Sequence, residues 1–274
     1  MEAMTIQCEA IKPGIGAVIS NDKHALLSGR LAGEIRRLLE SHGVLIFPRI
    51  GFSEAEQIQF TRTLGRYVPD YESGAATYIT IDPAAGQQAD YTRSSFFWHF
   101  DGYMNTTPIL ASLLCCLQTA PSGGHTEFCN TYAAWKALPP DRQQRLEGLH
   151  AVHALAAAQL SVEPEPSFET FSRWLKVRHN VLPVVWTHRS GRKSLVIGNT
   201  ALNILNMDPL DGLELLIWLR DWATQEPFRY SHVWSVGDAV LWDNTGTLHR
   251  ATPYEANSGR SMRRTKLAGE EPFA

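Results

Sequence analysis

Two short apolar runs, Leu182-Pro183-Val184-Val185-Trp186-Thr187 and Ser194-Leu195-Val196-Ile197, flank the turn-forming stretch Ser190-Gly191-Arg192-Lys193. β-Branched and aromatic residues on both sides of a glycine-containing connection predict a β-hairpin. Working outward, further strands are expected at about Ile109–Leu117, Thr126–Cys129, Leu149–Leu155, Arg229–Trp234, Ala239–Trp242 and Met262–Leu267. One helix, about Pro209 to Thr224 with Leu213, Leu216 and Trp222, interrupts the series. Many short strands with few helices predict a mainly β fold with flanking helices, whose core is an antiparallel barrel or jelly roll.

The helices come from the first sixty residues. Leu31, Ile35, Leu38 and Leu39 share one helical face, and Gly43 stands where that helix would end. Val44 to Phe47 reads as a short buried strand. Ser53 and Glu56 form a capping box that opens a second helix carrying Ile58 and Leu64. No repeat or linker divides the chain. One domain over 1–274 is expected, with a surface insertion around 156–180 where Glu163-Pro164-Glu165-Pro166-Ser167-Phe168 stops regular structure.

Hydrophobic residues make up 44% and charged residues 19%, which suits a soluble protein with a sizeable core. A net charge of −3 gives no basic footprint for nucleic acid. No apolar run approaches the roughly 18 residues that span a bilayer. Met1-Glu2-Ala3-Met4 has neither a basic region nor an apolar core, so a cytoplasmic protein is expected. Cys8, Cys115, Cys116 and Cys129 form no C-x-x-C pair and read as buried, reduced thiols. Cys115 and Cys116 would face opposite sides of a strand.

The chemistry centres on Trp98-His99-Phe100-Asp101-Gly102. On an extended segment His99 and Asp101 project to one face while Phe100 packs on the other. One imidazole and one carboxylate are two thirds of a facial triad for non-haem iron, but a lone H-x-D reads more readily as a structural or solvated pair. His249 follows Ala239-Val240-Leu241-Trp242-Asp243-Asn244, a strand running into a turn, and is the candidate third ligand. Downstream, Arg260-Ser261-Met262-Arg263-Arg264 packs three arginines into a predicted strand. These arginines either grip an anion or form a solvated basic edge. His125, His150, His153 and His188 read as loop, packing or turn residues.

Taken together these motifs resemble the taurine dioxygenase and 2,4-dichlorophenoxyacetate dioxygenase family of Fe(II)/2-oxoglutarate-dependent enzymes. The similarity runs through Ser41-His42-Gly43-Val44-Leu45-Ile46-Phe47, Trp98 to Asp101 and Gly123-Gly124-His125-Thr126. It continues through Thr187 to Leu195, Trp242-Asp243-Asn244, His249, and Arg260 to Leu267. Arginines lie eleven and fifteen residues after the distal histidine, as in the family. The resemblance implies a double-stranded β-helix core with His99, Asp101 and His249 holding iron(II). It implies that Arg264 pairs with the distal carboxylate of 2-oxoglutarate, that Arg260 helps hold its chelated end, and that the Thr126 hydroxyl bonds this co-substrate. Asn244 is expected to brace the loop bearing His249.

With O2 as the oxidant, the implied reaction hydroxylates a small organic substrate and releases succinate and CO2. An aspartate at 101 implies oxygenation, since related halogenases carry a small residue there. Gly102 and the absence of a counterpart in Tyr67–Tyr71 to the taurine enzyme's sulfonate-holding histidine speak against taurine. If the segment stays extended, Phe97 and Tyr103 fall on the metal side, where they either point to an acidic or amphiphilic, partly apolar substrate or simply form core. Alternatives are tailoring of an amino-acid-derived natural product by desaturation or decarboxylation, or a barrel that keeps a metal without turnover. A homo-oligomer stays open.

Overall fold

The computed structural model describes residues 5–70, 72–85 and 91–273. Met1 to Met4 and Tyr71, which the sequence reading touched, lie outside them. The strands are β1 (Cys8–Lys12), β2 (Ile15–Ile19), β3 (Val44–Phe47), β4 (Thr77–Ile79), β5 (Ala111–Gln118), β6 (Thr126–Asn130), β7 (His150–His153) and β8 (Asn180–Pro183). They continue with β9 (Val185–Thr187), β10 (Lys193–Leu195), β11 (Ala201–Ile204), β12 (Arg229–His232), β13 (Ala239–Asp243), β14 (Thr247–Ala251) and β15 (Ser261–Leu267). The α-helices among the described residues are α1 (Lys23–Leu27), α2 (Ala32–His42), α3 (Glu54–Leu64), α4 (Thr131–Lys136) and α5 (Pro140–Leu146). Three more follow: α6 (Leu155–Leu160), α7 (Phe168–Leu175) and α8 (Pro209–Ala223).

Seven strands form one sheet in the order β1-β2-β3-β13-β5-β15-β4. All its pairings are antiparallel except β2 with β3. A three-stranded antiparallel sheet, β12-β6-β14, shares an apolar core with it. Smaller sheets β11-β7-β8 and β10-β9 complete the β structure.

Alternation along the central strands builds two layers. On β13, Val240 and Trp242 face inward with Phe128 of β6, while Ala239 and Leu241 face the helices. On β5, Leu114 and Cys116 face inward and Leu113 and Cys115 outward. The adjacent cysteines thus take opposite faces, as a period of two requires. Burial pushes the Cys115 thiol up to about 12 and the Cys116 thiol up to about 11, so both stay protonated. Cys129 is also buried, whereas Cys8 is exposed, against expectation.

The outer face is covered by α2 and α3, whose Ile35, Leu39, Phe60 and Leu64 join that layer. Each such side chain, fully buried, contributes about 1.5–3 kcal/mol. The Ser53–Glu56 capping box forms in both directions at the start of α3. Gly43 ends α2 with φ of 68°, a conformation that costs an L side chain strain.

Two expectations change. The run Leu182–Thr187 is two strands: β8 pairs with β7, β9 pairs with β10, and the chain changes partner at Val184. Pro183 cannot donate to a ladder, which makes this a natural place to switch. The region 156–180 is a helical excursion, in which α6 and α7 flank Pro164 and Pro166 and Trp174 is buried. No helix among the described residues is long and apolar enough to cross a membrane.

Candidate metal centre

Strand β14 carries His249, and its backbone reaches His99 directly. His99 and His249 form an isolated antiparallel bridge, with N–H to carbonyl bonds of 3.0 and 2.8 Å in the two directions. Their rings lie 4.2 Å apart between centroids. The Nε2 of His249 is 3.8 Å from Oδ2 of Asp101. One ligand atom from each of His99, Asp101 and His249 falls within 4.8 Å of the others. Gly198 lets the ligand segment come this close, because a Cβ there would meet the Trp98 carbonyl at 3.0 Å and the His99 Cα at 3.2 Å. Phe100 points away into the core, edge-on to Phe273, as the alternation predicts.

The protonation states suit a divalent cation. The Nδ1–H of His99 donates to the Phe97 carbonyl at 2.8 Å, which leaves the Nε2 lone pair free. Burial lowers the pKa of His99. Burial, followed by the neighbouring His99, lowers that of His249 further, so both imidazoles are neutral. Burial opposes ionisation of Asp101, but the Arg264 guanidinium beside it outweighs burial and holds the carboxyl well below its ordinary range. Neutral imidazoles beside a carboxylate are the form that binds metal.

The three residues line a cavity of about 500 Å³ together with Thr126, Arg260 and Arg264. Alternation on β15 splits the basic cluster. Arg264 turns inward, 3.1 Å from Asp101 Oδ2 through one guanidinium nitrogen, and its buried Nε has no partner in the protein. Arg260 instead donates from Nε to the Gly124 carbonyl at 3.0 Å and lies over the Tyr254 ring. Gly124 is needed there, since a Cβ would approach Arg260 to 2.9 Å. Arg263 faces the other way, donating to Gln57 on α3 at 2.8 Å. Thr126 accepts from the Trp234 indole at 2.9 Å.

The two arginines take different places in the cavity. Arg264, touching a ligand carboxylate, sits at the metal end of the cavity, and Arg260, bonded to Gly124 and not to Asp101, sits away from it. Two substrate candidates also move. The extended run ends at Gly102, whose φ is 80°, so Tyr103 does not continue the alternation and is buried in the core near His153. Phe97 caps the short helix Arg93–Phe96 and lines a different cleft, with Leu213 and Ile217. The aromatic side chains on the metal cavity are Tyr91 and Trp242.

Two features escaped the sequence reading. Strand β14 was not expected, because Thr247-Leu248-His249-Arg250-Ala251 sits just past a turn and holds few strongly β-forming residues. A usable signal was Gly246, where a Cβ would collide with the Tyr132 ring. Ser112 is the other: its inward face on β5 brings Oγ to 3.5 Å from Asp101 Oδ2. Asn244 also differs from expectation, since its side chain bonds the Asp101 backbone and not the loop bearing His249.

Two imidazoles and a carboxylate on the wall of one cavity, with cationic donors beside them, are the donor set that a facial 2-His-1-carboxylate centre requires. The family described as "Taurine catabolism dioxygenase TauD, TfdA family" matches residues 7–266, and the chain belongs to it. The chain is 32% identical to the alpha-ketoglutarate-dependent 2,4-dichlorophenoxyacetate dioxygenase of Cupriavidus pinatubonensis, covering 95% of this chain and 97% of that one. It is 32% identical to the (S)-phenoxypropionate/alpha-ketoglutarate-dioxygenase of Sphingobium herbicidovorans, covering 93% and 92%. Among solved structures, AAD-2 in complex with Mn(II) and N-oxalylglycine superposes with a TM-score of 0.88 at 27% identity, covering 99% of this chain and all of that one. The protein is therefore a non-haem iron oxidoreductase of the 2-oxoglutarate-dependent dioxygenases, which use Fe(II), 2-oxoglutarate and O2.

Proposed function

We propose that the chain, acting as one domain built on a double-stranded β-helix (jelly roll), hydroxylates a small organic acid or amphiphile with an apolar or aromatic portion. The observation that carries this reading is the convergence of His99, Asp101 and His249 within 4.8 Å at a cavity that also holds two arginines. The named substrates of the two relatives, 2,4-dichlorophenoxyacetate and (S)-phenoxypropionate, are acids of that kind. Ile79, Tyr91, Leu114 and Trp242 supply apolar surface in the cavity, and Thr92, Ser94 and Ser95 supply hydroxyls.

The residues fit the family's metal and co-substrate. His99, Asp101 and His249 would hold iron(II), whose supply of open positions brings O2 and the keto acid together for oxidative decarboxylation. The orphaned Nε of Arg264 is a charged donor waiting for an anion beside the metal, so Arg264 would take the chelated end of 2-oxoglutarate. Arg260 and Thr126 would take the distal carboxylate. Thr126 accepts one bond from Trp234 and keeps its own O–H to donate. The apolar walls exclude water from the reacting carbon. A cytoplasmic location belongs to the same proposal.

Anaerobic titration of the protein with iron(II) and then 2-oxoglutarate tests it. A metal-to-ligand charge-transfer band should appear, and a panel of aryloxyalkanoic acids should then yield succinate in step with hydroxylated product. Absence of the band, or no succinate with any member, overturns the reading.

A further inference from the structure

Asn244 lies beside the metal centre, is 2% exposed, and has no ligand role. Its amide commits every polar atom to the backbone of Asp101 and Ile109. Oδ1 accepts the Asp101 backbone N–H at 2.8 Å. Nδ2 donates to the carbonyls of Asp101 and Ile109, both at 3.0 Å. The Asn244 backbone is itself fixed, donating to the Leu110 carbonyl at 3.0 Å.

One planar group thus takes both the N–H and the C=O of a single residue, which is what a neighbouring antiparallel strand does in a hydrogen-bonded pair. The ladder needs such a substitute here. His99 is bridged to His249 by backbone alone, but Gly102 turns the chain aside directly after Asp101. Asp101 belongs to no strand. Its carboxylate hangs from the backbone by only two rotatable bonds, so fixing the peptide on both sides confines the carboxylate as well.

We infer that Asn244 is a positioning residue for the metal centre, holding Asp101 in ligand geometry before any metal binds. This rests on the proposed metal reading and adds to it a residue that touches neither metal nor co-substrate. Only an amide serves: a carboxylate would keep the acceptor and set a second oxygen against two carbonyls, and leucine would fill the space without bonding. Outer residues that orient metal ligands affect affinity by about 10–100-fold.

The test compares wild type with Asn244→Leu and Asn244→Asp in two measurements. The first is Mn(II) affinity of the full chain by electron paramagnetic resonance. The second is hydrogen exchange over Trp98 to Met104 in metal-free protein. Mn(II) affinity should fall about 10–100-fold in Asn244→Leu and less in Asn244→Asp, with faster exchange in that segment and intact far-ultraviolet circular dichroism. Folded variants that bind Mn(II) within about twofold of wild type, or that exchange at the wild-type rate, overturn the inference. Failure of both variants to fold would also overturn it, as the residue would then serve the whole fold. If wild type itself does not bind Mn(II), the metal reading fails, and the exchange measurement still decides the brace.

Discussion

Two of the histidine–carboxylate groups among the described residues lie each beside its own cavity, of about 500 and 440 Å³. In the second, His188 bonds Glu271 through Nδ1 and Ser194 through Nε2, both at 2.8 Å. Glu271 accepts a further bond from the Arg189 backbone at 2.9 Å, and Ser194 Oγ lies 3.0 Å from the Thr245 carbonyl. Ser194 has no exposure at all, so nothing from solvent can reach it. That group is closed: each partner satisfies another, and it ties the Glu271 segment to the β9–β10 hairpin. Around His249 the opposite holds. The three candidate ligands face one another with a free Nε2 on His99, an unpartnered Nδ1 on His249 and an orphaned guanidinium Nε nearby. Burying unsatisfied polar groups is costly, on the order of 1–3 kcal/mol each, and such a cost is retained where a ligand relieves it. The same residue types are thus structural in one place and poised for chemistry in another.

The sharpest way to break this contrast is to remove one open ligand. Asp101→Ala or His249→Ala should weaken Mn(II) binding by more than about 100-fold, the upper scale on which supporting residues act, and abolish succinate release. Retention of metal-dependent succinate formation would show that the centre lies elsewhere. Next in size, Arg260→Ala should raise the KM for 2-oxoglutarate by about 10–100-fold, as a charge-assisted bond worth about 1.5–3 kcal/mol is lost, with a smaller change in Mn(II) affinity. Steady-state kinetics with varied co-substrate checks this. An effect on metal affinity equal to that on KM would place Arg260 at the metal end after all.

Stability should respond to pH through a histidine buried in the apolar core. His153 is fully buried and burial pushes it down to about 4, below its ordinary 6.5. The unfolded chain therefore binds the proton more readily. The stabilising effect of neutral His153 is complete above about pH 6.5 and is lost as pH falls towards 4, on the order of 3 kcal/mol in all. Urea midpoints across that window should fall less steeply for His153→Leu than for wild type, and equal slopes would remove the claim. The smallest effect is expected at the closed group itself. Glu271→Gln should cost about 1.5–3 kcal/mol of stability and leave kcat per folded molecule unchanged. A matching loss of kcat, read beside a thermal melt, would mean that this group communicates with the centre.

Much of the candidate site is legible in the sequence. H-x-D on an extended segment places two ligands on one face through the period of two alone, and the Ser53–Glu56 box announces its helix by spacing. The arginines after His249 raised the expectation of an anion site, but their spacing does not say where each guanidinium lies. That depends on Arg260 preceding β15 and reaching Gly124, while Arg264 lies within the strand opposite Leu114. Phe97 and Tyr103 were misplaced for a related reason. Alternation holds only while the backbone stays extended, and it ends at Gly102 on one side and the short helix on the other.

What the sequence determined by itself was local: residue types, their spacing, and therefore the family, the ligand candidates and the mainly β character. Tertiary structure alone decided which distant atoms meet. Pairing of His99 with His249 across 150 residues, Asn244 standing in for a missing strand at Asp101, and the split of the arginines all depend on sheet register. Register arises from the packing of whole faces and the reversal of chain at turns, and no single segment carries that information.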